Sequence, residues 1–200
     1  MIEKVAEKIT RFIYRNTISD YEMFDVYKYG TEITISSFFN ITLILLFSFI
    51  ISDILAGIAF LISFIFLRSF TGGYHAKTYF MCNGLFVLTF FIVYAISSVL
   101  NTLNLPFGVL ESIVLLNCVP VILFAPVENK RKRFNEQKKK CFKIKAIITF
   151  ILISVAALAL CFFHIKYGTL VIITISTVSF MIVIEILRKR RKKTWHSKKQ

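Results

Sequence analysis

Charged residues are scarce in this chain. Asp, Glu, Lys and Arg make up 18% of its 200 residues, whereas hydrophobic residues make up 56% and include 22 Phe. A soluble domain carries about 25% charged residues, and here the few charges are gathered into blocks that leave long apolar runs between them. This pattern excludes a water-soluble globule and indicates a polytopic membrane protein. No polar linker divides the chain, so we expect one integral membrane domain over residues 1–200.

Several familiar motifs are also missing. The four cysteines show neither a CxxC pair nor another metal-ligand spacing, so we expect no metal site, no cofactor and no disulfide framework. The chain contains no nucleotide-binding loop, and no apolar run holds a pair of acidic residues, so driven transport lacks an evident energy source. The N-terminus has no uninterrupted apolar stretch followed by a small-residue cleavage site, and we expect no cleaved signal peptide.

Six apolar runs are long enough, or nearly so, to cross a hydrocarbon core that takes roughly 20 helical residues. They cover residues 33–51, 54–67, 79–100, 107–125, 144–163 and 169–187. Each must be a helix, because a lone strand leaves its backbone polar groups unsatisfied in lipid. We therefore predict an all-α fold with a six-helix bundle over 33–187. Ser52-Asp53 predicts a tight hairpin, and Pro120 and Pro126 should bend or end the fourth helix.

The basic residues predict the orientation of the bundle. With six spans, 24 of the 25 Lys and Arg residues fall on one side, and only Lys166 falls on the other. The positive-inside rule then places both termini in the cytoplasm of a multi-pass cell-membrane protein, with 188–200 as a basic cytoplasmic tail. Because topology explains the charge excess, we expect no nucleic-acid partner.

The N-terminal segment differs from the spans. Over residues 1–19, apolar side chains recur at intervals of three and four residues and basic ones occupy the opposite face. This periodicity predicts an amphipathic helix that lies in the membrane interface beside anionic lipids. The alternative is a helix packed on cytoplasmic loops of the same protein.

One polar segment stands between the second and third runs, where residues 68–84 read RSFTGGYHAKTYFMCNG. Cys82 falls near the predicted start of the third helix, and His75 precedes it by two helical turns. A thiol and an imidazole form the smallest sufficient nucleophile and base. Nearby cations such as Arg68 and a helix N-terminus favour the thiolate form.

Two glycines in the same segment suggest a further role. Gly72 and Gly73 lack side chains, so their backbone N–H groups can approach a substrate carbonyl closely, as an oxyanion site requires. The alternative is a simple connecting loop, in which Arg68 reaches the headgroups and the glycines form a turn.

The pattern Arg-x3-Gly-Gly-x-His-x6-Cys resembles the accessory gene regulator protein B (AgrB) family, membrane cysteine endopeptidases of Gram-positive quorum-sensing systems. The stretches KYGTE at 28–32 and FAPVENK at 124–130 are also similar to that family. The resemblance covers essentially the whole chain.

The resemblance implies a peptide-processing mechanism. Its substrate is a short precursor peptide with an amphipathic N-terminus and an acidic C-terminus. Cys82 becomes acylated by the precursor, His75 acts as general base, and Arg68 with the Gly72-Gly73 backbone positions the scissile carbonyl. A thiol or hydroxyl of the bound peptide then closes a thiolactone or lactone. The resemblance also implies a homodimer.

Three alternatives stay open at this point. Lys130, Arg131, Lys132 and Arg133 either contact lipid and set topology or dock the acidic part of the substrate. Glu32 or Glu128 could accept a hydrogen bond from His75, as could Glu185, but salt bridges to neighbouring basic residues are an alternative role for each. Finally, the chain could be a non-enzymatic peptide exporter or sensor scaffold.

Overall fold

The computed structural model describes residues 2–16, 24–72, 78–103, 105–127 and 136–197. All seven regular elements in these residues are helices. They are α1 (Ile2–Asn16), α2 (Phe24–Ile50), α3 (Ile54–Thr71), α4 (Tyr79–Thr102), α5 (Phe107–Phe124), α6 (Glu136–Phe163) and α7 (Ile165–Ser197). Helices α2 to α7 are long and apolar enough to cross a membrane. The predicted all-α fold with six spans and a separate amphipathic N-terminal helix is therefore confirmed.

Five of the six spans extend beyond the apolar runs that predict them, and α6 begins at Glu136, eight residues before its run. Helix α2 begins at Phe24 and so contains the KYGTE stretch, α3 continues to Thr71, and α7 continues through the predicted tail to Ser197. Polar residues outside the hydrocarbon do not stop a helix, because its backbone hydrogen bonds are formed within the segment in water as well as in lipid. Hydropathy therefore marks where a span meets lipid rather than where its helix ends.

Helix α5 contains Pro120 and ends two residues before Pro126. Pro120 lies inside the helix, which membrane helices tolerate when neighbouring groups satisfy the freed carbonyl. Pro126 disfavours helical backbone in the residue before it, and Ala125 is accordingly extended, with φ −77° and ψ 145°. The predicted termination is thus confirmed and follows from Pro126.

Helix α7 lies at the centre of the bundle and packs against α3, α4, α5 and α6. Its buried side chains form much of the core, among them Leu170, Ile172, Ile175, Val178 and Ile182. The remaining spans carry large exposed apolar residues on their outer faces, as expected where lipid is the solvent.

Helix α1 packs on α2 through small side chains. Ala6 and Thr10 are buried, and the Thr10 hydroxyl lies 3.3 Å from the Thr31 hydroxyl of α2. Its larger apolar residues Val5, Ile9, Phe12 and Ile13 stay exposed. One side of α1 thus contacts the protein, and its exposed apolar side is available to the membrane interface.

The turn that joins α2 to α3 is tight. Ser52 adopts φ 60°, and Asp53 caps α3 by accepting a hydrogen bond from the Ala56 N–H at 3.3 Å. The two helices then cross closely, because a Cβ on Gly57 would lie 2.0 Å from the Ser48 hydroxyl. Glycine is required at this crossing.

Asp53 also ties this turn to the start of α7. Lys166 Nζ lies 2.6 Å from Asp53 Oδ2, and the Tyr167 hydroxyl donates to Oδ1 at 3.3 Å. The sequence analysis places Lys166 on the side of the membrane opposite the other Lys and Arg residues. Its charge is thus neutralised there by a carboxylate. Burial of Asp53 raises the pKa of its carboxyl, but the hydrogen bond and charge of Lys166 outweigh burial and hold that pKa below its usual value.

This ion pair predicts an acid-sensitive stability. Because the pKa of Asp53 is lowered in the folded protein, its contribution is present above the unfolded pKa of about 3.9 and is lost as pH falls through the lower folded value. Asp53→Asn should lower Tm by about 2–4 °C at pH 7, for a loss of about 1 kcal/mol, and the deficit should shrink below about pH 4. Thermal unfolding in detergent checks this, with exposed Glu111→Gln as the control. A deficit of equal size at pH 3 and pH 7 would contradict the ion-pair explanation.

Candidate active site

The structure describes five of the predicted site residues: Glu32, Arg68, Gly72, Cys82 and Glu185, of which Glu185 forms an ion pair with Arg188 at 3.5 Å. The others lie outside the described residues, namely Gly73, His75, Glu128, Lys130, Arg131, Lys132 and Arg133. All described members belong to one end of the bundle, where α3 ends and α4 begins.

Cys82 lies at the N-terminus of α4, as the sequence predicts. Thr78 caps the helix by accepting a hydrogen bond from the Met81 N–H at 3.3 Å, and the Cys82 N–H closes the first turn on the Thr78 carbonyl at 3.0 Å. The side chain is half-buried and its thiol is free. Cys82 therefore lies in the first turn of α4, at the positive end of the helix dipole.

Arg68 turns into the bundle instead of reaching outward to the headgroups. Its guanidinium donates to Met181 Sδ of α7 at 3.3 Å and lies 5.4 Å from the centre of the Phe64 ring. It also interacts electrostatically with Cys82. A cation from α3 and a thiol from α4 thus lie at the same end of the bundle, within range of an electrostatic interaction.

Contacts between phenylalanine rings fix the relative height of α3 and α4. Phe86 packs edge-on against Phe64 with ring centres 5.0 Å apart, and Phe90 packs against Phe60 at 5.3 Å. Phe86 lies one turn below Cys82, just as Phe64 lies one turn below Arg68. Because residues four apart share a helix face, the ring contacts direct Cys82 toward α3.

Gly72 ends α3 in a backbone conformation reserved for glycine. Its φ is 72° and its ψ −151°, and its N–H donates to the Arg68 carbonyl at 3.0 Å. This amide therefore closes the helix and is not directed at a substrate carbonyl. The predicted oxyanion role now falls on Gly73 alone and stays a prediction.

The same glycine joins α3 to the end of α5. Gly72 pairs with Val127 in a short parallel bridge, and the Val127 N–H donates to the Thr71 carbonyl at 2.9 Å. A Cβ on Gly72 would lie 2.6 Å from the Val127 carbonyl oxygen. The bridge holds the chain just before the predicted docking residues beside the Arg68–Cys82 pair.

Glu32 is buried in α2, with 8% of its surface exposed. It lies one helical turn before Ser36, whose hydroxyl donates to Asn83 of α4 at 2.7 Å. Glu32 therefore lies on the face of α2 that looks toward α4, beside the residue that follows Cys82. This placement agrees with a role near His75 but does not test it.

Sequence reasoning missed the polar cluster of Ser36, Asn40 and Asn83. Asn83 Oδ1 accepts hydrogen bonds from Ser36 Oγ at 2.7 Å and from Asn40 Nδ2 at 3.1 Å. The signal was available, since Glu32, Ser36 and Asn40 recur every four residues in or beside an apolar run. The sequence did not show that Asn83 of α4 is the partner of this polar face of α2.

Within the described ranges, no group of three or more His, Cys, Asp or Glu residues could hold a metal ion.

Comparison with known proteins identifies the family to which this chain belongs. The profile of the family Accessory gene regulator B matches residues 6–184. The accessory gene regulator protein B of Staphylococcus intermedius is 26% identical over 156 residues, which is 78% of this chain and 79% of that protein. An AgrB-like protein 2 of Clostridium perfringens is 28% identical over 144 residues, 70% of this chain and 67% of that protein. No solved structure matches the chain.

The close contact of Gly72 with Val127 predicts that one methyl group added at Gly72 will disturb the bridge between them. Gly72→Ala puts an L side chain into a conformation that costs about 1–3 kcal/mol and against a backbone oxygen. The bridge should open, and the Val127 amide should exchange hydrogen at least about tenfold faster, measured by mass spectrometry of peptides covering 125–127. Gly84→Ala is the matched control, because no atom lies within 4 Å of the added Cβ. Unchanged protection of Val127 in Gly72→Ala would count against the bridge.

Proposed function

Because this chain belongs to the accessory gene regulator B family, we propose that it is a membrane-embedded cysteine endopeptidase of a quorum-sensing system. It cleaves the C-terminal part of a precursor peptide through a thioester on Cys82 and supports closure of a thiolactone or lactone. The observation that carries the proposal is the family match over residues 6–184, which includes Cys82 in the first turn of α4.

The proposed first step forms the acyl-enzyme. His75 takes the proton of the Cys82 thiol, the resulting thiolate adds to the scissile carbonyl, the C–N bond breaks, and the leaving amine takes that proton from His75. The helix N-terminus and the Arg68 guanidinium place positive charge at the end of the bundle where the attack occurs. Glu32 is the described candidate to orient His75, and Glu128 is the alternative.

The second step closes the ring. A thiol or hydroxyl within the bound peptide gives its proton to His75 and attacks the thioester carbonyl, and Cys82 leaves as the thiolate. Water competes for the same thioester, so the step needs a site with restricted access to solvent. The half-burial of Cys82 supports this requirement.

The basic segments fit an acidic substrate. Lys130 to Arg133 follow Val127, which the glycine bridge holds beside the site, and we assign to them the docking of the acidic C-terminal part of the precursor. Other basic residues interact with anionic lipid, each contributing about 1 kcal/mol near a membrane surface. We further propose that the protein acts as a homodimer.

The nucleophile is tested directly by substitution. In vesicles containing the purified protein and the peptide encoded by the neighbouring short reading frame, Cys82→Ser should lower cleavage by at least about 10³-fold and His75→Ala by about 10²–10⁴-fold. Cys141→Ser, which changes an exposed cysteine, should retain full activity. Mass spectrometry of the peptide provides the readout. Continued cleavage by Cys82→Ser would exclude the enzyme and leave the exporter or scaffold function.

The proposed cytoplasmic location of the site is tested with a membrane-impermeant thiol reagent. Cys141 is exposed near the start of α6, at the basic end of the bundle, and should be labelled in inverted membrane vesicles but not in intact cells. In a Cys141→Ser background, exposed Leu103→Cys at the opposite end of α4 should show the reverse pattern. Labelling of Cys141 from outside the cell would invert the topology.

A further inference from the structure

We propose that Asn83 is a positioning residue that sets the direction of Cys82, and this role rests on the proposed function of Cys82 as nucleophile. Asn83 follows Cys82 directly, is 6% exposed, and is held by two hydrogen bonds from α2. It does not contact the reacting atoms. It acts by fixing the rotation of α4 about its own axis.

The rotation argument follows from helix geometry. Consecutive residues on an α-helix point about 100° apart, so the direction of one side chain fixes that of the next. Asn83 points to α2, where Ser36 and Asn40 hold it. Cys82 is then directed away from α2, toward the face on which Phe86 meets Phe64 and Arg68 approaches.

Two anchors of different chemistry therefore act on neighbouring turns of α4. The ring contact of Phe86 lies one turn deeper in the membrane and is apolar, so it tolerates small rotations and slides. Hydrogen bonds are directional, and the one from Ser36 lies one residue from the nucleophile. Misplacing a reacting atom by about 1 Å can cost about 10²-fold in rate, so the directional anchor matters most beside Cys82.

The cluster is not built for maximal stability. Asn40 Oδ1 is buried and has no hydrogen-bond partner among the residues that the structure describes. Leaving such an atom without a partner opposes folding, and this cost offsets the modest stabilisation that interhelical hydrogen bonds give in membranes. Three polar side chains that yield little net stability beside a nucleophile are better explained by the geometry that they impose.

The bundle offers a matched control for removal of a polar contact. Asn117 of α5 donates to the Ser176 hydroxyl of α7 at 2.8 Å, so this pair also joins an Asn and a Ser across two spans. Ser176→Ala and Ser36→Ala thus remove the same kind of bond at different places. Only the second bond involves a residue adjacent to Cys82.

Charge-selective thiol modification reads out the direction of Cys82 without any peptide. An anionic and a cationic methanethiosulfonate reagent of similar size react with the same thiolate, so the ratio of their rates reports the local potential and cancels changes in access. Arg68 raises this ratio at Cys82, and Arg68→Gln gives the reference value without the cation. In Asn83→Ala and Ser36→Ala, the ratio should fall toward that reference by at least about threefold. In Ser176→Ala, it should equal that of the unmodified chain.

Peptide cleavage provides the second readout. With the substrate of the proposed function, Asn83→Ala should lower kcat by about 10–10²-fold and change KM by less than about threefold, because the peptide still binds but meets a misdirected thiolate. If Asn83→Ala does not insert into the membrane, Ser36→Ala and Asn40→Ala test the same anchor while Asn83 stays in place.

The outcomes separate the two proposals. An unchanged charge-selectivity ratio in both Asn83→Ala and Ser36→Ala overturns the positioning role, as does an equal change in Ser176→Ala. A changed ratio together with no cleavage by the unmodified chain keeps the positioning of Cys82 and rejects the endopeptidase function instead.

Discussion

A backbone that crosses hydrocarbon must satisfy its own N–H and C=O groups, and the rest of this structure depends on that requirement. It makes every span a helix and confines departures from helical geometry to the span ends. Gly72, with its positive φ, and the extended Ala125 both occur at such ends. Cys82 and Arg68 lie within about one turn of the same boundary. The chemistry is therefore located where the backbone is free to change direction and where polar substrate segments can reach it.

Once the backbone is helical, the functional geometry depends on the register between helices. Arg68 and Cys82 come from different spans, and neither helix alone determines their distance. The contact of Phe64 with Phe86 sets the relative height of α3 and α4, while the hydrogen bonds of Asn83 set the rotation of α4. A third constraint, the bridge from Gly72 to Val127, brings the end of α5 to the same place. Three contacts of different types thus determine one site.

The spans and the position of Cys82 could be predicted because both depend on local sequence. The length of an apolar run is a direct measure of its ability to cross lipid, and Thr78 is a good N-cap just before Tyr79. The start of α2 could not be predicted from hydropathy, since polar residues outside the bilayer continue a helix without changing it. The contacts of Gly72 with Val127 and of Ser36 with Asn83 join residues far apart in the chain. A single sequence shows that such residues are polar or flexible, but their partners are determined by packing.

The length of α7 has a consequence for the charges that it carries. Its 33 residues extend for about 50 Å, well beyond a hydrocarbon core of about 30 Å, so this rod-shaped helix continues past the hydrocarbon. Arg188, Lys189, Arg190 and Arg191 follow one another along this rod at steps of about 100°. They form a collar around the axis in place of a patch on one side. The attraction of this collar for an anionic surface is consequently nearly independent of how the rod is turned about its axis.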